Sequence, residues 1–406
     1  MRVGIVGGGA SGLSCAIRAK SKSNEVIVYE KNNKCGKKIL ITGNGKCNYF
    51  NDEFNINKYN SQNIDILSEI INLENKNLVL SFFEQLGVVP KVSNGYYYPV
   101  SNQAVTILQS LMNEAISKGV EIANELEVLD INVVDGKYEI ITSKGKDIVD
   151  VLVLSTGSKA TPKTGSDGFG YGIARKLGYN IIKPLPALVQ LEGNEKYFKD
   201  WAGIRTDVEV SLYENDIFVK KEIGEIQLTD YGVSGICIYQ LSSKLIRGLN
   251  NGNKEIISIN FLPWLKEDIT IFFENRNNKL KNRTISDLLD GMLNYKLVNL
   301  ILKKNNIDST LNYNELDNKQ KEMLFSDLLR FKINIIDYKK YDNAQVCSGG
   351  VSLLDINIDT MESKHHKNFY IIGELLDVDG DCGGYNLGFA WLSGILAGDN
   401  IRSIYD

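Results

Sequence analysis

Histidine is almost missing from this chain: its 406 residues include two, His365 and His366. They are adjacent in a polar stretch before a strand, and neighbours on an extended segment point to opposite sides, so they do not form a shared metal site. Whatever chemistry occurs is not run by histidine. The six cysteines are widely dispersed and no C-x-x-C occurs. That spacing disfavours a zinc cluster or a dithiol redox pair and leaves reduced, mostly buried thiols. No stretch approaches the roughly twenty apolar residues that a spanning helix needs. Met1-Arg2-Val3 leads into a four-residue strand and then glycines, which is not the pattern of a signal peptide. An excess of one charge sign is also lacking: the formal net charge is −4, with Lys and Arg scattered along the chain. Such a chain has no long-range pull on nucleic acid or anionic membrane. No internal repeat is visible. These absences lead us to expect a cytoplasmic protein acting on a small molecule, with no nucleic acid, membrane or metal partner and with its oligomeric state open.

What is present begins at residue 3. Val3-Gly4-Ile5-Val6 is an apolar strand run, followed at once by Gly7-Gly8-Gly9-Ala10-Ser11-Gly12, after which Leu13, Ala16 and Ile17 recur at helical spacing. This is G-x-G-x-x-G between a strand and a helix, the context in which the motif carries meaning. Gly7 permits the tight turn, Gly9 lets a pyrophosphate approach, and Gly12 allows close helix–strand packing. The N–H groups of the helix start, at Ala10 and Ser11, then face negative charge. A second strand, Val26-Ile27-Val28-Tyr29, ends at Glu30-Lys31, about twenty residues on, where a carboxylate can accept hydrogen bonds from an adenosine ribose.

The C-terminal part repeats the theme with acid in place of plain glycine. Phe369-Tyr370-Ile371-Ile372 reads as a buried strand ending at Gly373-Glu374. A loop follows through Asp377 and Gly384-Tyr385-Asn386, and then a helix of small and apolar residues from Leu387 to Ala397. Backbone donors at that helix start can face a ligand, and the carboxylates suit sugar-chain hydroxyls better than phosphate. A glycine loop merely joining strand to helix is the simpler alternative.

Between these ends, helical periodicity covers Ile64 to Leu86 in two pieces. A further helix spans Asn102 to Lys118, with Val105, Leu108, Met112, Ala115 and Ile116 on one stripe. Strands at Leu126–Val133, Tyr138–Thr142 and Ile148–Leu154, with turns at Asp135-Gly136 and Lys144-Gly145, form a meander. Val151 to Leu154 is continuously apolar and is expected in a central parallel sheet. From about Leu188 the pattern alternates: Val208, Val210, Leu212, Ile217, Val219, Ile226, Leu228. It then becomes helical, with one stripe from Ile285 to Ile301 and a helix near Glu315–Leu329, before alternating again at Phe331, Ile333 and Ile335. The expected fold is therefore α/β: a Rossmann-like dinucleotide-binding domain with a three-stranded meander, interrupted by a β-rich and helical insertion. The expected boundaries are 1–188 for the first part of the nucleotide domain, 189–340 for the insertion, and 341–406 for the closing part.

Segments spread from end to end carry a family likeness. They are Gly7 to Gly12, Gly36 to Asn48, Tyr98 to Ser101, Ser155-Thr156-Gly157, Gly165 to Gly170, Pro186 to Val189, Gly349-Gly350-Val351, Thr360 to Ser363 and Gly373 to Leu387. With them the chain resembles the BaiN/YhiN-like flavoproteins, also labelled aminoacetone oxidase family FAD-binding enzymes, within the glutathione reductase superfamily. The resemblance implies a tightly bound FAD, and hence an FAD/NAD(P)-binding domain at 1–188 and 341–406 around an inserted substrate domain at 189–340. Gly7, Gly9, Ala10, Ser11 and Gly12 would hold its pyrophosphate, and Glu30 with Lys31 the adenosine ribose. Lys38, Gly45, Lys46, Cys47 and Asn48 would run past the phosphates toward the isoalloxazine. Val128 would meet the adenine through its backbone, with Thr156 and Gly157 along the dinucleotide. Gly373, Glu374 and Asp377 would follow the ribityl chain, and Gly384, Tyr385, Asn386 and Leu387 would present a helix start to the ring. Two departures concern substrate: the segment Leu228 to Ile236 has Asp230 where relatives have a histidine and Ile236 where they have a proline, and Cys347-Ser348 stands before Gly349-Gly350 where a threonine often precedes the glycines.

The implied chemistry is hydride transfer from NAD(P)H to flavin and on to an organic acceptor such as an enone-type C=C bond. No second G-x-G-x-x-G follows a strand, so the nicotinamide would be a transient co-substrate docking against the flavin. The alternatives are a flavin-dependent amine or amino-ketone oxidase using O2, and an RNA-modifying flavoprotein or non-catalytic binding module. Catalytic candidates are few. Tyr385 either donates a proton or packs as a ring. Asp230 is an acid candidate. Cys47 is either activated by Lys38 and Lys46 or a structural contact to the flavin, and its nearest thiol, Cys35, lies twelve residues upstream. Tyr96, Tyr97 and Tyr98 line a pocket wall or form an ordinary strand surface.

Overall fold

A computed structural model describes residues 1–405. The chain forms two compact units, Met1–Pro186 together with the segment from Ala344 onward, and Ala187–Asn343. In the first, five strands run parallel in the order Phe369–Ile371, Val151–Leu154, Arg2–Val6, Glu25–Glu30, Glu121–Asn124. The first strand to be made is thus the middle one, with Val3 opposite both Val26 and Val151. Its Val3 and Ile5 are fully buried, because a parallel sheet is covered on both faces.

One cover is helical. Ala10–Ala19 packs along the C-terminal helix Tyr385–Tyr405. A Cβ on Gly394 of that helix would stand 2.4 Å from the Ser11 carbonyl oxygen, and one on Gly398 would stand 2.7 Å from that of Cys15. Small residues are what let the two backbones meet. Trp391 is fully buried and donates its indole N–H to the Tyr49 carbonyl at 2.9 Å. Burying a large side chain of this kind contributes roughly 1.5–3 kcal/mol.

The other cover is the antiparallel meander Val128–Val134, Lys137–Thr142, Gly145–Val149. Its Ile140 and Val149 would lie 3.0 Å from a Cβ at Gly4, which explains a glycine in mid-strand. The turn Asp135-Gly136 has positive φ at both positions (50° and 75°), the geometry that matches strand twist. The expected strand Ile148–Leu154 divides at Asp150, whose N–H donates to the Arg2 carbonyl and whose carboxylate accepts from the Arg2 N–H, both at 2.9 Å.

The helical expectations hold in position and differ in phase. Ile64–Ile70 and Leu73–Gln85 are two helices. Ala104–Ser117 buries Ala104, Ile107, Leu108, Leu111 and Ala115, while Val105 and Ile116 of the expected stripe face outward at 50% and 60% exposure.

The second unit is built on a closed barrel in the order Leu191–Gly193, Gly232–Ser234, Ile217–Leu228, Arg205–Glu214, Glu255–Asn260, Phe331–Tyr338, the last pairing back to the first. Val208, Val210, Leu212, Ile226 and Leu228 point inward, whereas Ile217 and Val219, at the hairpin tip, are exposed. The stripe from Ile285 to Ile301 is two helices, Ile285–Asp290 and Tyr295–Lys304. The second starts afresh because the Asn294 side chain accepts from the Lys296 N–H. Among the described residues no helix is long and apolar enough to cross a membrane, and no group of three or more His, Cys, Asp or Glu is placed to hold a metal ion.

Candidate functional site

The parallel strands end together at Val6, Glu30, Leu154 and Ile371, and the loops leaving them define the site, as expected where an open α/β sheet reverses strand order. Gly7 has φ +108°, and a Cβ there would lie 2.6 Å from the Ser155 carbonyl oxygen. A Cβ on Gly12 would lie 2.0 Å from the Gly7 oxygen. Both glycines are therefore demanded by the protein itself. Gly9 is different: its φ is −87°, and a Cβ there meets nothing within 4 Å. No side chain caps the helix that follows, so the amides of Ala10, Ser11 and Gly12 lack intrahelical partners. An open space rimmed by unpaired N–H groups fits a pyrophosphate.

Glu30 is 7% exposed. Its Oε2 accepts from the Gly8 N–H at 3.0 Å, and its Oε1 accepts from the Asn32 N–H and side-chain amide at 2.8 and 2.7 Å. The carboxylate thus orients the glycine loop at the end of the second strand. Lys31 pairs with Asp167 at 2.6 Å. Val128 is buried at the start of the meander, in a segment that passes the strand end through Leu126 N–H to Glu30 O at 3.0 Å. Gly157 has φ +70°. Thr156 Oγ1 is buried without a partner, in a space that a Cβ at Gly170 would close to 2.1 Å.

The loop Thr42–Gly45 is unusual backbone. Gly43 and Asn44 are both left-handed (φ 55° and 53°), as are Gly45 (81°) and Cys47 (57°). Successive turns of this kind present N–H groups to one side. Lys46 is exposed, while Cys47 is fully buried, and burial pushes its thiol up to about 12, with a smaller opposing contribution from Thr42. The expected activation by Lys38 and Lys46 does not operate, because burial dominates and Lys38 is committed to Glu374. Iodoacetamide at pH 7 is therefore expected to leave Cys47 unmodified in the folded protein and to label it after denaturation, as peptide mass mapping would reveal.

Lys38 Nζ lies 2.6 Å from Glu374 Oε2, while Glu374 Oε1 accepts from Ser158 Oγ at 2.7 Å and from the Cys347 N–H at 3.2 Å. The Glu374 carboxylate is consequently turned into the protein as a clasp. The strand exit beside it is tight: Gly373 has φ +69°, its Cβ position lies 2.4 Å from Ser11 Oγ, and its N–H donates to Ser393 at 3.0 Å. Asp377 is fully buried and accepts from the Gln62 N–H at 2.7 Å and Ser61 at 3.2 Å.

At the last helix, Gly384 has φ +97°, and a Cβ there would stand 2.6 Å from the Phe50 carbonyl oxygen and 3.0 Å from Asn48 Oδ1, itself buried without a partner. Tyr385 is 5% exposed. Its ring meets Tyr59 edge-on at 5.9 Å, its carbonyl accepts from the Tyr59 hydroxyl, and burial holds its phenol well above the usual range. It is a packed ring. Leu387 is half-buried in the first turn. The Asn386 side chain accepts from the Gly380 N–H and donates to the Gly380 carbonyl, both at 2.8 Å. Asn386→Asp would set a carboxylate oxygen against that carbonyl. A loss of about 2–3 kcal/mol is expected, read as a lower melting temperature and a reduced FAD content per protein.

Asp230 lies in the other unit, exposed in the turn between Ile217–Leu228 and Gly232–Ser234. The histidines are occupied elsewhere: His365 Nε2 lies 2.9 Å from Asp355 and His366 Nδ1 lies 3.1 Å from Tyr179. Sequence reasoning missed Ser155, which bonds the Val6 and Gly7 carbonyls at 2.9 and 2.8 Å, as well as Ser158 and Ser393. The serine after the run Val151–Leu154 was a local signal for the first. The other two pair across 216 and 20 positions and leave none.

The open glycine cradle, the placed carboxylate and the two orphaned buried oxygens, Thr156 Oγ1 and Asn48 Oδ1, fit a flavin dinucleotide. Comparison with known proteins points the same way. A family model described as HI0933-like protein Rossmann domain matches residues 1–400. The chain is 35% identical over 401 residues to the 3-dehydro-bile acid delta(4,6)-reductase of Clostridium scindens, covering 98% of both chains. It is 26% identical over 401 residues to the ribosomal RNA dihydrouridine synthase of Escherichia coli, covering 96% of this chain and 95% of that one. The open conformation of a flavocytochrome c3 fumarate reductase superposes with a TM-score of 0.51 at 15% identity, covering 99% of this chain and 78% of that one, a likeness of fold.

Proposed function

The chain belongs to the HI0933-like family of FAD-binding Rossmann proteins, and from there we propose that it reduces a carbon–carbon double bond conjugated to a carbonyl in a small molecule, with NAD(P)H as the hydride source. It is an FAD-dependent oxidoreductase. The observation that carries the finer reading is the 35% identity, over 98% of both chains, to a reductase whose name specifies double bonds in a 3-dehydro compound. Bound FAD supplies two-electron transfer between a donor and an acceptor. This chain's residues supply position and field. The glycine loop and the amides of Ala10, Ser11 and Gly12 would hold the pyrophosphate, Glu30 the ribose, and the start of Tyr385–Tyr405 would place the positive end of a long helix where negative charge accumulates on reduction.

RNA as substrate has support in the dihydrouridine synthase relative, and a uracil ring also carries a C=C bond conjugated to a carbonyl. The net charge of −4 with scattered cations favours the small molecule. Anaerobic stopped-flow separates the readings. NADH or NADPH should bleach the flavin, and 2-cyclohexenone or 4-androstene-3,17-dione should restore its colour with loss of the double bond. Bleaching by amines alone with peroxide on re-aeration, or turnover confined to RNA, would overturn the proposal.

A further inference from the structure

Three consecutive tyrosines, Tyr96, Tyr97 and Tyr98, form the strand Tyr96–Pro99, which pairs with Phe50–Asn51 so that Phe50 faces Tyr97 and Asn51 faces Tyr96. Side chains alternate along a strand, and here the alternation divides the three into different surroundings. Tyr97 lies edge-on to Tyr49 and Phe50 at 6.1 and 6.0 Å, and its hydroxyl reaches Asp52 at 3.2 Å. Tyr96 and Tyr98 take the opposite face. The Tyr96 ring lies against Gly383, with Cε1 2.5 Å from where a Cβ would stand, just before the helix Tyr385–Tyr405. The Tyr98 ring lies against Gly43, 3.6 Å from the corresponding position, in the left-handed loop. The two rings therefore touch the two backbone segments assigned above to the flavin end of the site. Both are half-buried, and among the described residues neither phenol hydroxyl has a hydrogen-bond partner.

We infer that Tyr96 and Tyr98 are the wall against which the acceptor lies, with a phenol O–H donating to the acceptor's carbonyl oxygen; this rests on the reductase reading. Two residues along a strand separate the rings by about 7 Å, a span suited to a flat, rigid, largely apolar acceptor. The chemistry asks for such a donor. Hydride adds to the carbon β to the carbonyl, the π pair shifts to make an enolate, and a solvent proton then goes to the α carbon. NAD(P)H becomes NAD(P)+ by giving up the hydride, and solvent gives one proton, so the acceptor gains two electrons and two hydrogen nuclei. Charge develops on the carbonyl oxygen at the moment of hydride addition, and a pre-placed donor stabilises it there. Burial and the adjacent Tyr96 hold the Tyr98 phenol above its ordinary value, so it stays protonated and able to donate.

The test uses the full-length FAD-loaded protein with Tyr96→Phe, Tyr98→Phe and the double variant. FAD content and the rate of bleaching by NAD(P)H should match wild type, and so should reoxidation by dioxygen. Reoxidation by 2-cyclohexenone and by 4-androstene-3,17-dione should slow about 100-fold in the more affected single variant, the usual consequence of losing one such donor. As a readout independent of turnover, the change in the flavin spectrum on adding 4-androstene-3,17-dione to oxidised protein should require at least about tenfold more ligand in the variants, roughly one lost hydrogen bond. Wild-type rates and affinities in the double variant would overturn the inference while leaving the reductase reading intact. Failure of both enones to bind or reoxidise wild type would overturn the reading itself and this inference with it.

Discussion

Gly9→Asp is expected to give a folded, colourless protein. Nothing lies within 4 Å of a Cβ at this position and the backbone there is extended at φ −87°, so the fold can accept a side chain. The same open space is where a pyrophosphate would sit, and a carboxylate there opposes it directly. Two like charges 4 Å apart at a partly buried site repel by about 4 kcal/mol, or about three orders of magnitude in affinity. Circular dichroism and the melting temperature of the cofactor-free protein should match those of cofactor-free wild type, while FAD titration shows no uptake at concentrations that saturate wild type. Gly12→Val is the contrasting control. Its side chain would collide with the Gly7 carbonyl, 2.0 Å from the Cβ position, so it should fail to fold rather than fail to bind. A yellow Gly9→Asp protein with full FAD content would remove the glycine loop from the cofactor site.

Glu255→Gln is expected to stabilise the barrel at pH 8 and to do little at pH 5. Glu255 faces Glu214 directly across the strand pair Arg205–Glu214 and Glu255–Asn260. It is 1% exposed, and its carboxylate lies against that of Glu214, with which it shares a hydrogen bond when protonated. A Cβ on Gly248 would lie 1.8 Å from Glu255 Oε1 and 2.7 Å from Glu214 Oε2, so a helix backbone closes over both acids. Burial, and then the Glu214 charge, push the Glu255 carboxyl up from 4.5 to about 8. The folded protein thus keeps a proton that the unfolded chain releases. Stability from this group is full below about pH 4.5, falls as pH rises toward 8, and is level above that. Each pH unit in the window is worth about 1.4 kcal/mol per proton, and a total near 3 kcal/mol is expected after relaxation. Thermal melts of wild type and Glu255→Gln at pH 5 and pH 8 give the answer by difference, since other titrating groups are common to both. Parallel curves for the two proteins would show that Glu255 is ionised and solvated in the native state.

Residues that act through local spacing were readable in advance. The spacing of Gly7, Gly9 and Gly12 lies within one six-residue strand-to-helix turn, where Gly7 has positive φ and Gly12 meets the Gly7 carbonyl, and Asp135-Gly136 answers a hairpin's need for positive φ. The run Val151–Leu154 announces its burial because both faces of a parallel strand are covered. Features that depend on distant partners were not readable. The Lys38–Glu374 clasp joins residues 336 positions apart, and nothing around either residue specifies the other. Barrel closure depends on Leu191–Gly193 meeting Phe331–Tyr338, and a three-residue strand carries too little periodicity to announce itself. Errors of phase had local causes. Val105 and Ile116 fit a helical repeat as well as their buried neighbours do, and only packing against the rest of the fold decides which stripe turns inward. The Ile285–Ile301 stripe looks continuous in sequence because the Asn294 cap sits between two helices whose apolar faces follow the same repeat.

The sheet order has a consequence for biosynthesis. Arg2–Val6 lies at the centre, and the strand beyond Val151–Leu154, Phe369–Ile371, is made more than two hundred residues after it. Until it arrives, the Val151–Leu154 edge stays open to any passing strand. Ser11 likewise waits for Gly373 and for the helix that covers it. A chain stopped near residue 368 would therefore keep that edge exposed and lack the helix that closes over Ser11, a sticky product left for the cell to destroy.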